Sequence, residues 1–234
     1  MTNELKLLSA GACRNAVLKT TEAFTAEHDI PIDITFVTAP AMRETIAASD
    51  HGFQALVGAE AVVNSFLDAG SLQPDPFERL GAIASSVVVR DGTPHPDIST
   101  VETFCESIRN ASAVIYNVAS SGIYIEKLLD DLGLAKDIAE RTERTPTGAA
   151  VMDRIGAGTA ANEIGFGQMT EILRVKGTGV KVDLVGPLPD AIANMTIFFA
   201  GVVAGAENNA TATAFVEFLA GDTAKALIRE AGLS

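Results

Sequence analysis

Leu5-Lys6-Leu7-Leu8 runs into Ser9-Ala10-Gly11-Ala12, then comes a helical stretch carrying Val17, Leu18 and Phe24 on one face, then Ile32 to Val37. An apolar β-prone run, a loop of small residues, an amphipathic helix and a second β-prone run make a βαβ unit, whose strands lie parallel in one sheet. The pattern repeats. Thr38-Ala39-Pro40 opens a helix through Ile46, Phe53 to Val57 is the next strand, and Gly58-Ala59-Glu60 opens a helix that ends at Gly70. Pro just inside a helix start and Gly just past its end are the expected boundary residues. Short apolar strands alternating with amphipathic helices from end to end place the chain in the α/β class, its sheets covered by helices.

Gln73 to Glu78, rich in Pro and acid, reads as a linker, and the apolar run Leu80 to Val89 is long enough for a strand that leaves one lobe and enters another. Arg90 to Pro96 is a turn by its Gly and Pro content, and Ser99 is a plausible N-cap for a helix over Thr100 to Ile108. The second lobe repeats the architecture. Strand Ala113 to Tyr116 feeds Asn117 to Gly122 into a helix ending near Leu132-Gly133; a strand near Arg141 to Thr145 feeds Pro146-Thr147-Gly148 into helix Ala149 to Ile155; strand Asn162 to Phe166 feeds Gly167-Gln168-Met169 into a short helix. Asp183 to Gly186 is a further strand, Met195 to Val203 the return crossing, and Ala210 to Gly232 two helices that pack back on the first lobe. The expected organisation is a discontinuous first lobe, residues 1–82 with 198–234, and a second lobe, residues 83–197, each a mostly parallel sheet flanked by helices.

With 234 residues, 47% of them hydrophobic and 20% charged, the chain has ample material for a core. A formal net charge of −13, no Trp and no Lys/Arg cluster argue against a nucleic-acid or anionic-membrane partner. Cys13 and Cys105 lie far apart without CxxC spacing, and His28, His51 and His95 are scattered, so no metal or other cofactor is expected and the thiols are expected free. Cys13 is placed at a helix start and Cys105 at a buried helix position. No apolar run of about 18 residues exists, and Met-Thr-Asn-Glu-Leu-Lys lacks the n- and h-regions of a signal peptide. As written the chain is expected in the cytoplasm without membrane insertion, or in the periplasm if a signal peptide has been removed.

In open parallel sheets ligands sit at the carboxyl ends of strands, where helix N-termini present unpaired N–H groups and positive partial charge. Ser9, Thr38, Ser85 or Ser86, Ser120, Ser121 and Thr147 are small hydroxyl residues at such loops, most with Ala or Gly nearby. Backbone approaches a ligand closely there while a hydroxyl donates, which favours an anion. The competing role of each, taken singly, is an ordinary N-cap. Arg14, beside Ser9 to Ala12, places a guanidinium where a carboxylate would lie, against the alternative of a solvated helix face. Tyr124 and Gln168 are further polar candidates. Glu60, first in its helix, is either a dipole partner or a site carboxylate.

Together with the order of segments, Leu7 to Ala12, Val89 to Thr100, Ala119 to Tyr124 and Glu163 to Gln168 resemble the molybdate-binding-protein-like family of substrate-binding proteins over nearly the whole chain. The resemblance implies a two-lobed type II periplasmic-binding-protein fold with its ligand cleft between the lobes. It carries over to Ser9 and Thr38, to Ser120 or Ser121, and to the Thr147-Gly148 loop as ligand contacts; Ala12, Ser85 and Ser86 are candidates by residue type alone. A molybdate binder presents a tyrosine where this chain has Gln168, and Arg14 adds a full positive charge; both departures favour a carboxylate. A branch of the same family resembles aconitate isomerase. Two functions therefore stand: a receptor that delivers a small anion to an ABC permease if exported, and a cofactor-independent isomerase of an unsaturated di- or tricarboxylate, with Glu60, Tyr124 and Glu143 as candidate bases. A cytoplasmic ligand sensor is a third, weaker reading, since no DNA-binding segment accompanies the domain.

Overall fold

A computed structural model describes residues 4–48, 50–206 and 209–234, the side chains of Ser120 and Asn209 excepted. The chain divides into two compact units, one up to Ile83 together with Thr196–Ser234, the other Ala84–Met195.

In the first unit β1 (Leu5–Ala10) pairs in parallel with β2 (Ile32–Val37) and β3 (Ala55–Ala59). The intervening helices are α1 (Arg14–His28) and α2 (Ala39–Ala47), and α3 (Glu60–Asp68) follows β3. The sheet is mixed: β9 (Met195–Val203) runs antiparallel to β3. Beside β9 lies the first half of a 19-residue strand, β4 (Leu72–Arg90), which continues into the second unit. One sheet face packs Leu8 and Leu56 against Met42, Ile46, Val63 and Phe66. Phe24 of α1 meets Phe215 edge-on at 5.3 Å, where Phe215 belongs to α9 (Asn209–Leu219). Full burial of such a ring contributes about 1.5–3 kcal/mol. The final helix, α10 (Asp222–Glu230), packs on α1.

The second unit holds α4 (Val101–Asn110), β5 (Ala113–Asn117), α5 (Ser120–Asp131), the short α6 (Ala135–Ile138), β6 (Thr142–Thr145), α7 (Gly148–Ala157), β7 (Glu163–Gln168), α8 (Met169–Gly177) and β8 (Val182–Pro187). β5 pairs in parallel with β6 and β7, and β4 runs antiparallel to β7 and β8. Strand alternation serves two cores at once: Val87, Val114 and Tyr116 join Phe104, Ile108 and Phe166 on one face, while Val88, Ala113 and Ile115 join Val151, Met152, Ile155 and Ile172 on the other. Helices cover both faces at the centre of the sheet, which is why Val87 to Val89 and Ala113 to Tyr116 read as continuous apolar runs.

Four expectations are corrected. Gln73 to Glu78 is no linker but the first half of β4; Leu72 is buried and Phe77 stacks on Phe199 at 4.7 Å, and the prolines are tolerated because this stretch is an edge of its unit's sheet. The N-cap of α4 is Thr100, not Ser99: Thr100 and Thr103 form a capping box, while Ser99 bonds Asp97 through both its amide and its hydroxyl. Leu18 is 44% exposed although Val17 and Phe24 are buried, since one residue is a 100° step around a helix. Cys13 is buried, but Cys105 is only partly so; both thiols are free, and burial pushes that of Cys13 well above the ordinary range.

Asp183 of β8 bonds Lys176 Nζ at 2.5 Å and His95 Nε2 at 2.9 Å. These hydrogen bonds, that of Lys176 first, hold its carboxyl below the usual aspartate range. A lowered carboxyl stabilises the fold above its unfolded value of about 3.9 and loses that contribution as pH falls through the folded value. Asp183→Asn is therefore less stable than the native protein at pH 6. In urea melts the gap closes as pH drops below about 4; a gap independent of pH removes the ion pairs as its cause.

Candidate functional site

In the first unit the three parallel strands bring their carboxyl ends to one edge of the sheet. Ser9 is fully buried near the end of β1, its hydroxyl directed to the Ala10 carbonyl at 3.3 Å. A 3-10 turn, Gly11–Cys13, carries Ala12 and leads to Arg14, the first residue of α1. The Arg14 guanidinium lies over the ring of Phe36, with its carbon 3.8 Å from the centroid. Phe36 is the penultimate residue of β2, so the cation–π contact holds the positive head at the strand-end edge. Thr38 has the extended backbone of an N-cap for α2, yet its side chain makes no cap hydrogen bond. Ala59 takes that place before α3 and has no hydroxyl, while Glu60 stands exposed in the first turn of α3, a helix-dipole partner.

In the second unit parallel β5, β6 and β7 end at a common edge. After β5, Asn117 organises the loop: its Oδ1 accepts from Ala119 N at 2.8 Å and its Nδ2 donates to Ser121 Oγ at 3.1 Å. Ser120 opens α5; its side chain lies outside the described set. The neighbouring loop is tied on by Val118 N, which donates to Thr145 O at 2.9 Å. After β6, Thr147 caps α7 by accepting from Ala150 N at 3.1 Å. Gly148 follows, buried, and a Cβ there would fall on Oε2 of Glu171, a first-turn residue of α8. β7 itself ends in Gln168, a buried strand residue opposite Ser85 on β4.

Ser85 and Ser86 do not stand in a strand-to-helix loop. Both lie buried within β4; Ser85 Oγ accepts from Asn194 Nδ2 at 3.0 Å and Ser86 Oγ leans to the Ala84 carbonyl. Two candidate bases are committed elsewhere. Both oxygens of Glu143 accept from Arg154 at 2.7 Å, and Tyr124 donates its hydroxyl to Ile192 O at 3.1 Å, tying α5 to the connection before β9. Burial and the nearby Asp131 push the Tyr124 phenol above its ordinary value, which suits a donor rather than a base.

Asn117, Asn194 and Glu171 are polar groups that the sequence reading missed. An Asn closing a strand before a small-residue loop is a recognisable Asx-turn signal; Asn194 and Glu171 carry no local signal. Among the described residues no group of three or more His, Cys, Asp and Glu side chains is placed to hold a metal ion, and no described helix is long and apolar enough to cross a membrane. Each unit thus presents helix N-termini, small residues and hydroxyls at one sheet edge, and the first adds a guanidinium. Such donors bind oxyanions and carboxylates.

Residues 5–234 match the family described as bacterial extracellular solute-binding protein. The aconitate isomerase of a Pseudomonas species is 28% identical over 238 residues, spanning 98% of this chain and 87% of its own length. The periplasmic molybdate-binding protein of Azotobacter vinelandii superposes with a TM-score of 0.77 at 16% identity, over 98% of both chains. The sulfate-binding protein SubI of Mycobacterium tuberculosis superposes at 0.78 and 17%, over 98% of this chain and 86% of its own. These likenesses show the fold, the α/β fold of periplasmic binding proteins.

Proposed function

The chain belongs to the bacterial extracellular solute-binding proteins, and from that premise we propose that its solute is a small anion, a carboxylate in preference to an inorganic oxyanion. The proposed contacts are Ser9, Ala12, Arg14 and Thr38 in the first unit and Ser121, Thr147, Gly148 and Gln168 in the second, with Ser120 on the carried-over pattern. The observation that carries the reading is Arg14, a guanidinium stacked on Phe36 beside the amide-rich turn Gly11–Cys13. Hydrogen bonds from neutral donors suffice for a symmetrical oxyanion, whereas a planar guanidinium matches a planar carboxylate with two parallel bonds. As a receptor the protein would act in the periplasm and hand its solute to an ABC permease.

A second reading is favoured by the relative named aconitate isomerase, which matches nearly all of this chain. Here the same donors hold an unsaturated tricarboxylate while its double bond migrates, a reaction that needs a base and no cofactor.

One experiment separates the two: thermal shift against molybdate, sulfate, phosphate and a panel of di- and tricarboxylates, followed by proton NMR of each stabilising compound left with protein. A tricarboxylate that stabilises and stays unchanged supports the receptor; one that converts to its isomer supports the enzyme; stabilisation by inorganic oxyanions alone overturns the carboxylate preference. Arg14→Ala is expected to weaken tricarboxylate binding by about 1.5–3 kcal/mol, the worth of a charge-assisted hydrogen bond. Calorimetry reads this as roughly a 10- to 150-fold rise in Kd. Arg14→Lys recovers only part, because an ammonium keeps the charge and loses the paired geometry. Undiminished affinity in Arg14→Ala removes the residue from the site.

A further inference from the structure

We propose that the first unit carries a second anion site, for a phosphate group, at the edge of its sheet opposite Ser9 and Arg14. Lys6, Asp50, His51 and Gln54 line a cavity of about 460 Å³ there, beside the end of β9. The inference does not depend on which solute the other edge takes.

Strand pairing brings the donors together. β1 and β3 run in parallel with Leu7 opposite Ala55, which sets Lys6 and Gln54 side by side one residue earlier. Both share the sheet face of Leu8 and Leu56, because side chains alternate along a strand. Gln54 is only 9% exposed. Its Oε1 accepts from Lys6 N at 2.6 Å, and this bond fixes the amide, since only the oxygen accepts from a backbone N–H. Nε2 is then the polar atom that Gln54 presents to the cavity, and it makes no hydrogen bond to a described residue. A buried donor without a partner is costly, and an oxygen bound in the cavity supplies one.

The neighbouring groups are set the same way. His51 stacks on Phe53 with ring centroids 6.2 Å apart, and its Nδ1 accepts from Phe53 N at 3.1 Å. The accepting nitrogen carries no proton, so the N–H of the neutral ring is at Nε2. Lys6 adds an ammonium that forms no ion pair with a described residue. An ammonium is a point charge without the planar fork of a guanidinium, which suits the tetrahedral oxygens of phosphate rather than a flat carboxylate. Asp50 adds an exposed carboxylate. Phosphate at neutral pH keeps an O–H that this carboxylate accepts, whereas sulfate has none to give.

The test is a titration of the full chain with sodium phosphate at neutral pH, followed by NMR at the His51 ring and the Gln54 side-chain amide, in the native protein and in Arg14→Ala. Both signals are expected to shift and saturate with the same Kd in the two proteins. Gln54→Glu keeps the acceptor for Lys6 N and puts a carboxylate oxygen where the donor was, so Kd is expected to rise by about 10- to 150-fold, the usual worth of a hydrogen bond to a charged group. Lys6→Met changes an exposed side chain and leaves Tm unaltered, so it carries the test if Gln54→Glu does not fold; a rise of roughly 10-fold is expected. Sulfate is expected to bind more weakly than phosphate, and Asp50→Asn to narrow the difference. Glycerol 3-phosphate binding more tightly than inorganic phosphate assigns the site to an ester, and weaker binding assigns it to the inorganic ion. Phosphate that shifts neither His51 nor Gln54, or binds Lys6→Met as tightly as the native protein, overturns the site. Shifts that vanish in Arg14→Ala also overturn it, by placing the phosphate at the solute edge. Neither result bears on the carboxylate reading, which the tricarboxylate titrations decide.

Discussion

Arg154→Ala is expected to lower the stability of the protein by about 3 kcal/mol, toward the low end for breaking an ion pair with a buried partner. Arg154, on α7, gives Nε and Nη2 to the two oxygens of Glu143 on β6, both at 2.7 Å, and Nη2 also to Oε1 of Glu163 at 3.0 Å. These bonds, those with Glu143 first, hold the guanidinium protonated above its ordinary range. Glu143 is 42% exposed and regains water when Arg154 is removed, so it adds little. Glu163 decides the magnitude. Its side chain is only 8% exposed, its Oε2 is buried without a hydrogen-bond partner, and a Cβ on Gly158 would fall on that oxygen. Without Arg154 its charge is left at the start of β7 with nothing opposite. Urea unfolding followed by circular dichroism measures the loss, and Glu163→Gln in the Arg154→Ala background is expected to restore much of it, because an amide tolerates the site better than a lone charge. A single variant within about 0.5 kcal/mol of the native protein would sink the argument.

Gly122→Ala is expected to be at least as damaging. Gly122 is the third residue of α5, and a Cβ there would coincide with the backbone carbonyl oxygen of Asn117. That oxygen cannot move aside cheaply. Asn117 ends β5 in register with Thr145 of β6, and its side chain is bonded both to Ala119 N and to Ser121 Oγ. The added methyl must push α5 away from the end of β5, with loss of core packing at Ile125 and Leu129. Such overpacking against backbone is expected to remove about 3 kcal/mol or more, read as a fall in Tm of roughly 6–12 °C for a chain of this size. Gly177→Ala is the control. It lies at the end of α8 with open space where its Cβ would stand, so the same methyl there is expected to raise stability by about 0.4–1 kcal/mol through the unfolded chain. Equal effects at the two positions would contradict the steric account. The loop that Gly122 shapes is also a proposed anion contact, so residual Gly122→Ala protein is expected to bind tricarboxylates weakly.

The alternation of strands and helices is legible from the residues alone. Ile32–Val37 and Met195–Val203 are strands at the bounds their β-prone runs mark, because β-branched and aromatic residues dominate both stretches. Hydroxyl and glycine residues before helices were legible for the same local reason: a cap acts within one turn of its own helix, as Thr147 does on Ala150. Local pattern failed where a distant partner overrode it. Gln73 to Glu78 has the composition of a linker and is a strand, since Phe199 gives Phe77 a surface to stack on. Ser85 meets Asn194 across 109 residues, Glu171 reaches Gly148 across the α7–β7 hairpin of elements, and Glu143 is bound to Arg154 on the following helix. Periodicity reports which face of an element is buried. Which partner each polar or charged side chain meets depends on how separate elements pack, and no local stretch of sequence encodes that.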